Sequence, residues 1–180
     1  MNCRERVRTT LRHREPDRVP LDIGATHSSG IMAIAYGELR EYLGLPKGRI
    51  RVHDFGQQLA EIEPDILDRF GVDVIDLFNS HICPDDREWV SWTLPDGRPA
   101  ERPAELKVER DKGGGHNLRE SSGKIIARMP EGCLYFESIQ PPLGEPPSEL
   151  SSYRLPLLGE DFLERMETRA EWLRKNTEYA

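Results

Sequence analysis

The 180 residues carry 25 Lys and Arg against 32 Asp and Glu, a formal net charge of −7, with 37% of residues hydrophobic. That balance argues against a nucleic-acid surface, which needs cations clustered on one face, and no stretch approaches the ~18 apolar residues of a membrane span. Cys3, Cys83 and Cys133 form no Cys-x-x-Cys pair and no disulfide framework, and no signal-peptide core follows Met1, so a cytoplasmic chain is expected.

Asn2 is placed to cap a first helix, with Glu5 as its capping-box partner. The helix offers only Val7, Thr10 and Leu11 as a weak apolar stripe, which predicts a surface helix ended by Pro16. Its basic residues, Arg4 to Arg18, are interrupted by Glu5 and Glu15 and read as a solvated face. Val19 to Ile23 then predicts a first strand ending at Gly24. Ile31, Ile34, Ala35, Leu39, Tyr42 and Leu43 recur at helical spacing, and Gly44 and Pro46 stop that helix. Ile50 to Val52 predicts a short extended run and Gln57 to Ile62 a helical patch. Pro64 suits the first turn of a helix carrying Ile66, Leu67 and Phe70, and Val72 to Leu77 predicts a second strand. Alternating helix and strand is the α/β signature.

Past Trp89 the pattern changes. Short strands are expected at Trp89 to Leu94, Glu105 to Arg110, Asn117 to Glu120, Lys124 to Met129 and Leu134 to Phe136. Pro95-Asp96-Gly97, Gly113-Gly114-Gly115, Ser121-Ser122-Gly123 and Pro130-Glu131-Gly132 supply the turns between them. A connector with Pro141, Pro142, Pro146 and Pro147 leads to an amphipathic helix, Glu160 to Asn176, with Phe162, Met166, Ala170 and Leu173 on one stripe. Thr177 to Ala180 reads as the approach to another strand. The expected organisation is residues 1–84 as βα units, 85–140 as an antiparallel hairpin insertion, and 141–180 as connector and helix.

Several segments in this order resemble the N-terminal half of the uroporphyrinogen decarboxylase-like superfamily, and most of all its corrinoid-linked methyltransferase branch. They are Arg4-Glu5-Arg6-Val7, Glu15-Pro16-Asp17-Arg18-Val19-Pro20-Leu21-Asp22-Ile23-Gly24, YGELREYLGL from Tyr36 to Leu45 and LDRFGVD from Leu67 to Asp73. WTLPDG from Trp92 to Gly97, RMPEGCLYF from Arg128 to Phe136 and NTEYA from Asn176 to Ala180 complete the set. The resemblance implies an α/β fold, the N-terminal portion of a (β/α)8 TIM barrel carrying an antiparallel β-hairpin insertion. A whole barrel takes about 200 to 400 residues, so the expectation is a fragment, inactive without a second polypeptide that supplies the rest of the barrel.

The resemblance also separates two chemistries. Family decarboxylases grip porphyrinogen carboxylates with an Arg-rich loop after the first strand, and here Ala25-Thr26-His27-Ser28-Ser29-Gly30 contains no arginine. Where those enzymes place an Asp beside the pyrrole N–H groups, this chain has Ser80 in the run Phe78-Asn79-Ser80. Uroporphyrinogen decarboxylation is therefore disfavoured, and corrinoid-dependent methyl transfer preferred. The methyltransferase branch holds zinc through a His-x-Cys pair and a distant Cys in its second half, which implies zinc and a corrinoid as family cofactors and a corrinoid protein as partner. A noncatalytic binding or assembly module, pairing through the last helix with another chain or as a homo-oligomer, is the alternative.

Among individual residues, Asp22 and His27 follow the first expected strand, at the rim where barrel enzymes keep their sites. They read either as acid–base or ligand-binding groups, or as a carboxylate accepting local backbone N–H bonds beside a loop histidine. His81-Ile82-Cys83 has His-x-Cys spacing, with Cys133 as a third zinc ligand, set against a half-buried histidine and a free thiol. Gly113-Gly114-Gly115 lacks the strand-to-helix context of a phosphate loop and reads as a turn. Asp73 and Asp76 face opposite sides of a strand, and Asp54 reads as a helix N-cap.

Overall fold

Asn2 and Glu5 exchange the reciprocal bonds of a capping box and open α1, Cys3–Leu11. The helix stops before Pro16 because His13 turns left-handed, with φ 55°. The computed structural model describes residues 1–77, 87–139 and 158–180. It continues through a 3₁₀ turn at His27–Ser29, α2 (Ala33–Tyr42), β1 (Val52–Asp54), β2 (Leu59–Ala60) and α3 (Pro64–Phe70). Then come β3 (Trp89–Thr93), β4 (Pro99–Pro103), β5 (Lys107–Arg110), β6 (His116–Arg119), β7 (Ile125–Met129), β8 (Glu137–Ser138) and α4 (Glu160–Asn176).

The expectation of barrel-type βα units is overturned: the chain is mixed α/β. Among the described residues the sheets are a β1–β2 pair, a β3–β4 pair and a four-stranded β5-β6-β7-β8 sheet, all antiparallel. Backbone accounting gives the reason. Pro20 brings no N–H to a ladder, Asp22 turns its carboxylate onto the Ala25 N–H at 2.9 Å, and the Gly24 N–H goes to the Ser29 carbonyl. The segment expected as the first strand therefore keeps one parallel bridge, Asp22 with Val74. At Tyr179 and Ala180 the chain runs beside the Val72–Leu77 segment, where the Ala180 N–H reaches the Asp73 carbonyl at 2.9 Å and the Ile75 N–H reaches the Ala180 carbonyl at 3.3 Å.

In the second part, turn chemistry dictates structure. Gly97, Gly114, Gly123 and Gly132 all take positive φ in the four turns expected of them. Two hairpins and the longer sheet meet at an aromatic junction. Phe55 lies 5.0 Å from Trp92 and 4.9 Å from Phe136, ring centre to ring centre, and the Phe136 N–H donates to the Gly56 carbonyl at 2.8 Å. The Gln57 to Ile62 stretch is the second arm of a hairpin rather than a helical patch.

Buried charge organises the first part. Asp73 has no exposed surface and accepts from Arg6 Nη1 at 2.5 Å, Arg18 Nη1 at 2.6 Å and the Leu21 N–H at 2.9 Å. Arg6 also donates to Asp17, which holds the N-terminal ammonium at 2.9 Å. A second network centres on Arg40, 4% exposed, whose two terminal nitrogens grip Asp65 at 2.8 and 2.7 Å and whose Nη1 lies 2.9 Å from Glu63. The buried face of α2 is accordingly Ala33, Tyr36, Gly37 and Arg40, rotated from the face its hydropathy predicts.

These networks set the response to acid. Burial pushes the Asp73 carboxyl up, but the Leu21 N–H, Arg18 and Arg6 more than offset it and hold it below the usual carboxylate range. Arg40 does the same for Asp65. Carboxylates with depressed folded values give stability that is full above their unfolded values and lost as pH falls through the folded ones. His53 and His116 are pushed down chiefly by burial, so they too favour unfolding as acid is added. The melting temperature is expected to drift down from about pH 6.5 and drop more steeply below about pH 4, measured by circular dichroism. A profile flat from neutral pH to about pH 3 would contradict both networks.

Candidate functional site

Loop 24–30 is held open by its own backbone. Thr26 and Ser29 exchange capping bonds around the 3₁₀ turn. Gly24 sits at φ +82°, and a Cβ there would come within 2.6 Å of Ile62 Cγ1, so glycine alone fits the bend. This places His27 outward, with its side chain 61% exposed, across from the end of β1.

His27 Nδ1 lies 3.4 Å from Asp54 Oδ2. Asp54 is itself fixed by the Gln57 backbone N–H at 3.1 Å and the Gln57 side-chain amide at 3.2 Å. The His53 ring stands 6.1 Å from the His27 ring, tilted by 50°. His53 is half-buried, and its Nδ1 is buried without a hydrogen-bond partner among the described residues. Burial pushes its pKa down, against the opposing charges of Asp76, Glu61 and Asp54. Two imidazoles thus share one rim with flanking carboxylates, one ring exposed and the other half-buried. Asp54 stands beside Nδ1 without a formed hydrogen bond, which leaves Nε2 as the nitrogen that can meet a ligand.

Of the residues singled out from sequence, His27 joins this cluster, whereas the Asp22 carboxylate accepts the Ala25 N–H and serves the turn. Asp73 and Asp76 part as expected, the first buried against Arg6 and Arg18, the second with its charge bearing on His53. Cys133 is an exposed free thiol in the turn after β7. His81, Cys83 and Ser80 lie outside the described residues. Asp54 and His53 were the residues that pattern reading undervalued. Asp54 accepts the N–H three residues on, the bond of an N-cap, but residues 55–58 form turns rather than a helix.

Cys3 faces the Val72 carbonyl at 3.8 Å, and burial together with Asp73 pushes its thiol up, away from the thiolate that zinc requires. Among the described residues no group of His, Cys, Asp and Glu is arranged to hold a metal. The Gly113, Gly114 and Gly115 N–H groups all donate to Asp111, so they close a turn and none is spare for a phosphate. Among the described residues no helix is long and apolar enough to cross a membrane. Comparison with family models, curated proteins and solved structures finds no match for this chain.

Proposed function

We propose that the chain serves corrinoid-dependent methyl transfer of the uroporphyrinogen decarboxylase-like kind, as a cytoplasmic polypeptide that meets a corrinoid protein and is inactive alone. The observation that carries this reading is the exposed His27 imidazole with Asp54 behind it. A corrinoid supplies a methyl–cobalt bond; this chain's part is to present His27 Nε2 from the loop that the Thr26–Ser29 capping bonds and Gly24 shape. The sequence features of the resemblance also act together rather than singly. Arg6, Asp17, Arg18 and Asp73, drawn from three of its segments, make one ion network.

Porphyrinogen decarboxylation fits less well, because loop 24–30 offers no guanidinium for a polycarboxylate. The assembly-module reading keeps one specific support: of the whole length of α4 only Leu173 is buried, while Leu163 is 51% exposed.

Titration with aquocobalamin, followed by its visible spectrum, tests the proposal. Saturable binding with a band shift is expected, because imidazole replaces cobalt-bound water, and His27→Ala should weaken it at least about tenfold. Uroporphyrin should not compete. Binding of uroporphyrin in place of cobalamin would reverse the assignment. Binding of neither, with a mass that grows with protein concentration, would transfer the function to α4.

A further inference from the structure

A cavity of about 530 Å³ opens where the β3–β4 turn faces the β5–β6 and β7–β8 turns, and His27 does not line it. Its size is that of a small-molecule site, roughly 300–1,000 Å³ in general. Its floor is apolar: Trp92, Leu94 and Met129 line it and are 9%, 2% and 3% exposed. His116 packs edge-on against Trp92, with ring centres 4.9 Å apart, and also lines the cavity.

The mouth carries opposite charges that are not spent on each other. Arg110 and Glu131 both line the cavity. Both approach Gly114: Arg110 Nε donates to its carbonyl at 3.4 Å, and the Glu131 carboxylate fills the space that a Cβ on Gly114 would need. Among the described residues neither forms an ion pair, whereas Arg6, Arg18, Arg40, Arg51 and Arg119 all do. The imidazole nitrogens of His116 likewise take no hydrogen bond among the described residues. One cation and one anion above an aromatic floor match a ligand that bears both charges and an apolar group.

We infer that this cavity binds a small zwitterion with an apolar or aromatic side group, of the α-amino acid class. The ligand carboxylate meets Arg110, its ammonium meets Glu131, and its side group rests on Trp92 and Met129. Such a site rejects ligands lacking either charge, because the unanswered protein charge then loses solvent without gaining a partner. This site stands independently of the methyl-transfer reading, since it shares no residue with the His27 rim.

The test uses L-phenylalanine, phenylacetate and phenethylamine, which carry both charges, the anion alone and the cation alone. Amide chemical shifts of the isotope-labelled chain report where each binds. Phenylalanine should perturb residues 92–97, 110–116 and 129–133 saturably, with the half-ligands at least about tenfold weaker. Arg110→Gln should remove the advantage over phenethylamine, and Glu131→Gln the advantage over phenylacetate. Both positions are exposed, so folding should persist and is checked by the remaining amide spectrum. Equal binding of phenylalanine and either half-ligand would overturn the inference, as would no saturable shift with any of them.

Discussion

Asp73→Asn is expected to cost about 3–5 kcal/mol of folding stability, the usual penalty for stranding a buried charge. For a domain with a total stability of about 5–15 kcal/mol this is enough to populate unfolded chain at physiological temperature. The carboxylate has no exposed surface and takes donors from α1, from the segment after Pro16 and from the Leu21 backbone. Asparagine keeps the volume but offers one acceptor oxygen and no charge, leaving Arg6, itself 7% exposed, without its inner partner. The backbone at Asp73 also joins the Leu21 and Ala180 segments, so the loss spreads to both. Urea unfolding at neutral pH measures the effect. Asp17→Asn, on the open side of the same network with a side chain 41% exposed, should cost clearly less, because water replaces what it loses. A near-equal cost for the two would mean that burial is not what gives Asp73 its weight. The steep acid limb of the melting profile should also flatten in Asp73→Asn, since that carboxylate no longer titrates.

How much of this was readable beforehand depended on whether the signal was local. Asn2 with Glu5, Pro64, the four turn glycines and the bounds of α4 all act within a few residues, and each appears where sequence places it. Failures came where partners lie far apart in the chain. Hydropathy put Tyr42 on the buried face of α2, yet Tyr42 is 88% exposed while Arg40 is buried, because Asp65 and Glu63 offset the cost of desolvating Arg40. β4 is not among the expected strands; Pro99 and Pro103 sit at its two ends, opposite Thr93 and Trp89, where a strand tolerates proline. The barrel expectation failed for a related reason. Apolar runs at Val19 to Ile23 and Val72 to Leu77 have the composition of strands, but Val19 is 76% exposed and Asp22 commits its side chain to a turn. In the site, His27 was visible as a rim histidine, whereas its pairing with Asp54 needed β1 to form.

Trp92→Ala should be the most damaging change in the second part of the chain, at about 3–5 kcal/mol for deletion of a buried aromatic. Trp92 touches three units at once. Its indole N–H donates to Gln58 Oε1 at 2.9 Å, its ring meets Phe55 edge-on at 5.0 Å, and His116 packs on it at 4.9 Å. Alanine would leave a cavity and would orphan the Gln58 carbonyl, in a side chain 1% exposed whose backbone already sits at φ 56°. Trp92→Phe separates the two costs, because it keeps most of the volume and removes only the donor. That variant should lose about 1–3 kcal/mol, the range for an unanswered buried acceptor. Guanidinium unfolding followed by far-ultraviolet circular dichroism reads both changes, and a lower denaturant slope in Trp92→Ala would indicate that the hairpins had come apart from the first part before the main transition. If Trp92→Ala and Trp92→Phe lose the same amount, the hydrogen bond to Gln58 rather than ring packing is the joint between the two parts. If neither loses more than about 1 kcal/mol, the aromatic junction is not what joins them.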